Sequence, residues 1–186
     1  MNSLLRNLSI HAAVVTALSC FVVLILVIAG LGVVADRDAQ NNIATLNNIS
    51  DSQLNEINRA DSLLNQAMLA METASNYLMV GQTRQSNEQV DIAGNRIERS
   101  KRRFERFAAN SFSQQGEALA NALIADFNTV MGLVKQQHET FEYMDLTSYN
   151  TLREELEEPL ISLSESMTTF VDYGFQRVDT IRADAE

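Results

Sequence analysis

The chain has 186 residues, of which 24 are acidic and 14 basic, for a net charge of −10. That length suits one domain of ordinary size, and the acidic balance argues against a nucleic-acid partner. A lone cysteine, Cys20, excludes an intrachain disulfide, while one proline and seven glycines are too little punctuation for strands and hairpins.

Residues 1–11 carry one side-chain charge, Arg6, apart from His11, and read as a cytoplasmic tail. From Ala12 to Ala35 there are 24 residues without a charge, with only Thr16 and Ser19 as hydroxyl-bearing members. About 20 apolar residues cross a hydrocarbon core of roughly 30 Å, so residues 12–35 are expected to form a transmembrane helix. Arg6 and the α-amino group favour a cytoplasmic N-terminus. A cleaved signal peptide is the competing reading, but its apolar region would span only about 7–15 residues. Residues 36–186 are then expected outside the cytoplasm. With Arg6 set aside, 13 basic residues remain there against 24 acidic ones.

Beyond the span, residues 36–80 hold no proline or glycine, and apolar or small residues recur at heptad spacing: Ile43, Leu46, Ser50, Ile57, Ala60, Leu64, Ala67, Met71, Ala74 and Leu78. This predicts one long helix continuous with the span. Gly81 opens a turn, and Ser86 with Gln89 three residues on forms a capping box for a second helix over 86–109. Its buried side is expected at Val90, Ile97, Phe104 and Phe107, and its outer faces carry Arg96, Arg99, Lys101, Arg102, Arg103 and Arg106. Those cations read as a solvated face paired with Glu98 and Glu105, or alternatively as an anion-binding edge.

A third helix is predicted over 117–143, with Leu119, Ala122, Leu123, Phe127, Val130, Leu133, Val134 and Phe141 as its stripe, and His138 as a partly exposed structural histidine. The fourth runs over 149–186, with Leu156, Leu160, Leu163, Met167, Phe170, Val171, Gly174, Val178 and Ile181 inward and Thr151–Glu154 as a capping box. Pro159 predicts a kink, or a short helix ending near Glu158. The glutamates 154, 155, 157 and 158 sit near a helix start, where the dipole favours them. A calcium site there is the weaker reading, because no EF-hand loop is present. The fold expected is all-α: an antiparallel up-down-up-down four-helix bundle preceded by one transmembrane helix.

No Gly-rich phosphate loop, nucleophile elbow, zinc signature or histidine cluster is legible. Neither His11 nor His138 has the partners a haem or di-iron bundle needs. A binding or signalling module without catalytic residues, cofactor or metal is the expectation.

The arrangement of basic tail, span and external helical bundle resembles the sensory half of bacterial methyl-accepting chemotaxis receptors of the aspartate- and serine-sensing type. Asn76-Tyr77-Leu78-Met79 is similar to a segment late in that family's first periplasmic helix, and Tyr143-Met144-Asp145-Leu146-Thr147 to the turn that opens its fourth. The resemblance implies a homodimer packed through the first bundle helix, embedded in the inner membrane with the bundle in the periplasm. Ligand binding would displace the last helix and reach cytoplasmic signalling partners through parts that follow this sequence. It also implies a ligand site. Where the family uses three arginines to hold a carboxylate, the matching positions are Ala67, Glu72 and Asn76, none of them basic, while Thr147 and Ser148 keep the hydroxyl used for an ammonium end.

The candidate ligand-binding residues are therefore Gln66, Glu72, Asn76, Thr147 and Ser148. A cationic or neutral small molecule, or a periplasmic binding protein that carries the ligand, fits them better than aspartate, because a carboxylate needs charge-assisted donors. Gln66, Glu72 and Asn76 read equally as polar positions on a dimer seam. The input domain of a sensor histidine kinase or cyclase, and a membrane-anchored helical scaffold, are the alternative functions.

Overall fold

A computed structural model describes the backbone of residues 10–183, and within it the side chains other than those of 10–18, 20, 31–36, 38 and 51. Residues 1–9 of the predicted tail (1–11) and most side chains of the predicted span (12–35) lie outside that set. The chain divides into two compact units, Met1–Thr45 and Leu46–Glu186. Its elements are α1 (Ile10–Asn47), a π-helical segment (Asn48–Leu54), α2 (Asn55–Met79), α3 (Thr83–Ala108), α4 (Gln114–Thr140), a 3-10 turn (Phe141–Tyr143), α5 (Leu146–Glu155) and α6 (Glu157–Ala183). No strand occurs among the described residues, and the second unit is a helical bundle.

In the first unit the large side chains from Phe21 to Ile28 are all exposed, at 52–67 %. Among the described residues, no helix is long and apolar enough to cross a membrane.

The predicted helix over 36–80 is interrupted by the π segment. Asn47 and Asn55 keep right-handed helical dihedrals, and the Asn55 N–H donates to the Ser50 carbonyl five residues back. The wider turn moves the apolar stripe. Ile49 and Leu54, one π turn apart, are buried, whereas Ser50 and Ile43 face solvent. From Leu54 the stripe runs on through Ile57, Ala60, Leu64, Ala67, Met71 and Ala74.

At Gly81 (φ 76°) the chain reverses. The Gln82 N–H donates to the Tyr77 carbonyl at 2.9 Å and the Gly81 N–H to Leu78 at 3.0 Å, the paired bonds of a Schellman motif. The chain enters α3 directly from that motif, and the Ser86 N–H already donates to the Gln82 carbonyl at 3.0 Å, so Ser86 caps nothing. Helix α3 starts at Thr83, Gln82 provides no side-chain cap, and Ser86 is buried inside the helix. Ala122 is exposed and Ala120 buried, a correction of the α4 stripe by half a turn.

The last predicted helix begins earlier and breaks earlier than expected. Met144 takes a left-handed conformation (φ 52°), which brings Asp145 to the N-cap of α5. Thr151 lies inside α5, its hydroxyl donating to the Thr147 carbonyl at 3.2 Å, so it caps nothing. Pro159 has no N–H for the Glu155 carbonyl and crowds it, so the helix parts at Leu156. The Leu160 N–H reaches the Leu156 carbonyl at 3.0 Å and resumes the ladder in α6.

Helix α2 packs along α3, while α4 packs along α6 and α5. Buried small residues let α2 and α3 approach closely, with the Ser100 hydroxyl donating to the Ala60 carbonyl at 2.6 Å. The basic face of α3 is paired chiefly across that contact, not along its own helix. Arg103 meets Glu56 at 2.7 Å, Arg106 stands 3.5 Å from the same carboxylate, and Arg96 donates to Gln66. Within α3, Glu105 takes Lys101 at 3.8 Å. Aromatic rings close the α3–α4–α6 side, with Phe104 stacked on Phe127 at 4.1 Å and Phe170 edge-on to Phe107 at 5.2 Å. His138 is half-buried, its Nε2 3.0 Å from the Val90 carbonyl. Helices α2 and α6 make no broad contact with each other, and clefts lie along the seam between them.

Candidate functional site

One cleft of about 380 Å³ opens where α2, α4, α5 and the start of α6 converge. Helix α2 supplies Asn65, Met68, Leu69 and Glu72, and α5 supplies Tyr149 and Arg153. The floor is Gln137 of α4, and Leu156 and Leu160 complete the apolar wall. Tyr149 reaches the cleft because Asp145 anchors the start of α5 and because its ring packs on Phe141 at a centroid distance of 5.1 Å. Leu156, at the break before Pro159, is buried and fixes the other end of α5.

Glu72 and Arg153 are exposed at the rim, and neither forms an ion pair with a described residue. Burial pushes the Tyr149 phenol up; the Arg153 cation draws it down and the Glu72 carboxylate adds to the rise. The two opposite charges are thus both felt at one phenol without neutralising each other. A second cleft of about 560 Å³ follows the α2–α6 seam, lined by Asn58 and Asp61 on one side and Met167 and Thr168 on the other. Burial raises the Asp61 carboxyl above its ordinary value, partly offset by a hydrogen bond from Asn65 at 2.9 Å.

Of the residues proposed from sequence, only Glu72 lines the first cleft. Gln66 turns toward α3, accepting from Arg96 and donating to Ser62 at 3.2 Å. Asn76 is exposed about one turn past Glu72, outside the cleft lining. Thr147 and Ser148 take part in the cap of α5. Their N–H groups donate to Asp145 Oδ1 at 3.1 and 3.0 Å, and the Ser148 hydroxyl donates to Oδ2 at 2.6 Å. That hydroxyl is the main reason the Asp145 carboxyl is held below its ordinary value, followed by the Ser148 and Thr147 N–H groups. Ala67, matched to an arginine position by resemblance, is wholly buried in the core.

Gln137, Tyr149 and Arg153, which also line the cleft, were not singled out by sequence reasoning. Gln137 carried a signal, because it continues the 4-3-4 spacing of Val130, Val134 and Phe141 and so puts an amide at a core position. Arg153 was masked by the glutamates that follow it. Those glutamates are exposed, and among the described residues no group of His, Cys, Asp and Glu is arranged to hold a metal ion.

A helical bundle that opens a polar, two-signed cleft between its helices has the frame of a ligand-binding module. The family model described as the Tar ligand binding domain homologue matches residues 4–159, and the chain belongs to that family. It is a family of ligand-binding domains of chemoreceptors, not of enzymes. No curated protein and no solved structure matches the chain.

Proposed function

We propose that the chain is the sensory part of a transmembrane chemoreceptor and takes a small molecule in the cleft between α2 and α5. The observation that carries this reading, on a chain of this family, is that Glu72 and Arg153 border one cleft without an ion pair to any described residue. Opposite charges left apart at the mouth of a cleft are available to a ligand. A cationic group faces Glu72 and one anionic group faces Arg153. A second carboxylate would meet Glu72 and lose the charge-assisted donors it needs.

The membrane arrangement belongs to the same proposal. The exposed apolar side chains from Phe21 to Ile28 favour hydrocarbon over water and support residues 12–35 as an anchor. The N-terminus is then cytoplasmic and residues 36–186 periplasmic, at the inner membrane. An up-down-up-down order is supported by Glu56–Arg103, Ala60–Ser100 and Gln66–Arg96 between α2 and α3, by Val90–His138 and Phe104–Phe127 between α3 and α4, and by Ser113–Tyr173 and Asp126–Ser166 between α4 and α6, since within each set one number rises as the other falls. The open seam, with Leu69 of α2 63 % exposed at its edge, suits a homodimer through the first bundle helix. A ligand with different affinities for two packings of α6 against α2 biases their populations and so transmits a signal.

Thermal-shift measurements on the full chain with amines, amino acids and organic acids test the proposal. Cationic or zwitterionic compounds are expected to raise Tm, and Glu72→Gln or Arg153→Gln to abolish the rise. Stabilisation by acidic amino acids alone would contradict the role given to Glu72. A rise unchanged in both variants would move the ligand elsewhere.

A further inference from the structure

Two residues at the bottom of the cleft carry polar groups that bond no described residue. Gln137 is only 2 % exposed and Tyr149 only 3 %. The Gln137 backbone carbonyl accepts from the Thr140 hydroxyl at 2.7 Å, but its side-chain amide makes no hydrogen bond to any described residue. Nor does the Tyr149 hydroxyl. Both residues line the cleft. Among the described residues only Glu56 Oε2 is a sealed side-chain atom without a partner, so the Gln137 amide and the Tyr149 hydroxyl are open to water through the cleft, and a ligand that covered them without pairing them would forfeit those hydrogen bonds. Neither of these groups is needed to hold the helices together, and an apolar residue of similar size would fill either position without an unpaired group.

We infer that Gln137 and Tyr149 are specificity-determining residues that read an uncharged hydrogen-bonding group of the ligand, such as a carboxamide or hydroxyl. The inference rests on the cleft being the ligand site. Glu72 and Arg153 at the rim act on charge, whereas the amide and the phenol at the floor act on what lies between the charges. Gln137 offers both a donor and an acceptor, and Tyr149 a hydroxyl that can do either. A ligand with charges alone would leave both floor groups unpaired. One that also carries an amide would satisfy them, and selection of this kind is strong because the penalty falls on buried groups.

The test uses the full chain and two zwitterionic probes, glycine betaine, which has charges only, and L-asparagine, which adds a carboxamide. In the absence of probe, Gln137→Met and Tyr149→Phe are expected to keep Tm within about 2 °C. A larger fall in Tm would show that these groups are paired within the protein and would overturn the inference. Calorimetric titration is expected to show asparagine binding more tightly than betaine, with Gln137→Met weakening asparagine by about tenfold or more and leaving betaine unchanged. Equal binding of the two probes to the wild-type chain, or no binding of asparagine, would overturn it. Loss of both probes in Glu72→Gln with no change in Gln137→Met would refute the floor residues and leave the sensory reading intact.

Discussion

The hydroxyl of Ser100 donates to the carbonyl oxygen of Ala60 at 2.6 Å, joining α3 to α2 at a point where both residues are fully buried. Two small residues face each other there, so the helices approach closely enough for a side chain to reach a backbone oxygen already used within its own helix. Ser100→Ala removes the bond and keeps the fit, and is expected to cost about 0.5–1.5 kcal/mol in urea unfolding. Ser100→Leu is expected to cost more, because added methylenes in a close contact force the helices apart, at about 1–3 kcal/mol or above.

Glu56 is the anchor of the basic face of α3. Its side chain is 14 % exposed, and its Oε1 meets Arg103 at 2.7 Å. Its Oε2 is buried without a hydrogen bond, with Arg106 Nε at 3.5 Å as its compensating charge. Glu56→Ala is expected to destabilise the bundle by about 1.5–3 kcal/mol, in the range of hydrogen bonds to charged groups. The exposed pair of Arg84 and Glu88 at 3.5 Å should matter far less, about 0.3–0.5 kcal/mol. Chemical denaturation of Glu56→Ala and Glu88→Ala side by side, at low and high salt, checks both magnitudes.

Two glycines of α4 are expected to respond in opposite directions to alanine. At Gly132 an added Cβ meets nothing within 4 Å. Gly132→Ala should therefore stabilise by about 0.5–1 kcal/mol through helix propensity. At Gly116 the Cβ would stand 2.8 Å from Tyr173 Cε1, on a ring whose hydroxyl is bonded to Ser113, the N-cap of α4. A tethered ring cannot yield cheaply, and Gly116→Ala is expected to lose about 1–3 kcal/mol. Thermal unfolding of the two variants decides the point, and a loss at Gly132 would contradict the open space described there.

The pH dependence of stability should differ in sign between two aspartates. The Asp145 carboxyl is held below its ordinary 3.8 by the Ser148 hydroxyl and by the N–H groups it caps. Its contribution is present above that value and is lost as pH falls through the lower folded-state pKa. Asp145→Ala should therefore lower Tm at pH 7 and have a smaller effect at pH 2. Burial raises Asp61 above its ordinary 3.8, so the folded state favours the neutral acid. The cost of ionising it appears as pH rises past that value and is complete above the raised pKa. Asp61→Asn should raise Tm at pH 7 and leave it nearly unchanged at pH 3. A Tm profile for each variant across pH 2–8 reads both effects.

Much of the bundle was legible because helix-forming stretches without breakers announce themselves, and because Gly81 and Pro159 punctuate by covalent geometry wherever they occur. The ligand-binding class was legible from the arrangement of the whole chain, and the family match agrees with it. Of the candidate residues read from sequence, Glu72 alone lines the first cleft. Thr147 and Ser148 fit a ligand hydroxyl and a helix cap equally by residue type, and in the fold the left-handed Met144 places Asp145 to accept both their N–H groups and the Ser148 hydroxyl. Arg153 could not be assigned, because which side of α5 faces α2 depends on where the helix parts at Leu156.

The sequence by itself determined that this protein is helical, where its helices turn, and which broad face of each is apolar, since these follow from dihedral restriction and a period of about 3.6 residues. The tertiary structure decided the exact register and the site. The π segment is held by bonds from distant residues. Asn110 donates to the Ser52 carbonyl at 3.0 Å, and Gln53 donates to the Ser111 carbonyl at 3.2 Å. Such partners lie nearly sixty residues away along the chain, so no local pattern could reveal the shift. The same holds for the cleft, where Glu72, Gln137, Tyr149 and Arg153 come together only because α2, α4 and α5 converge.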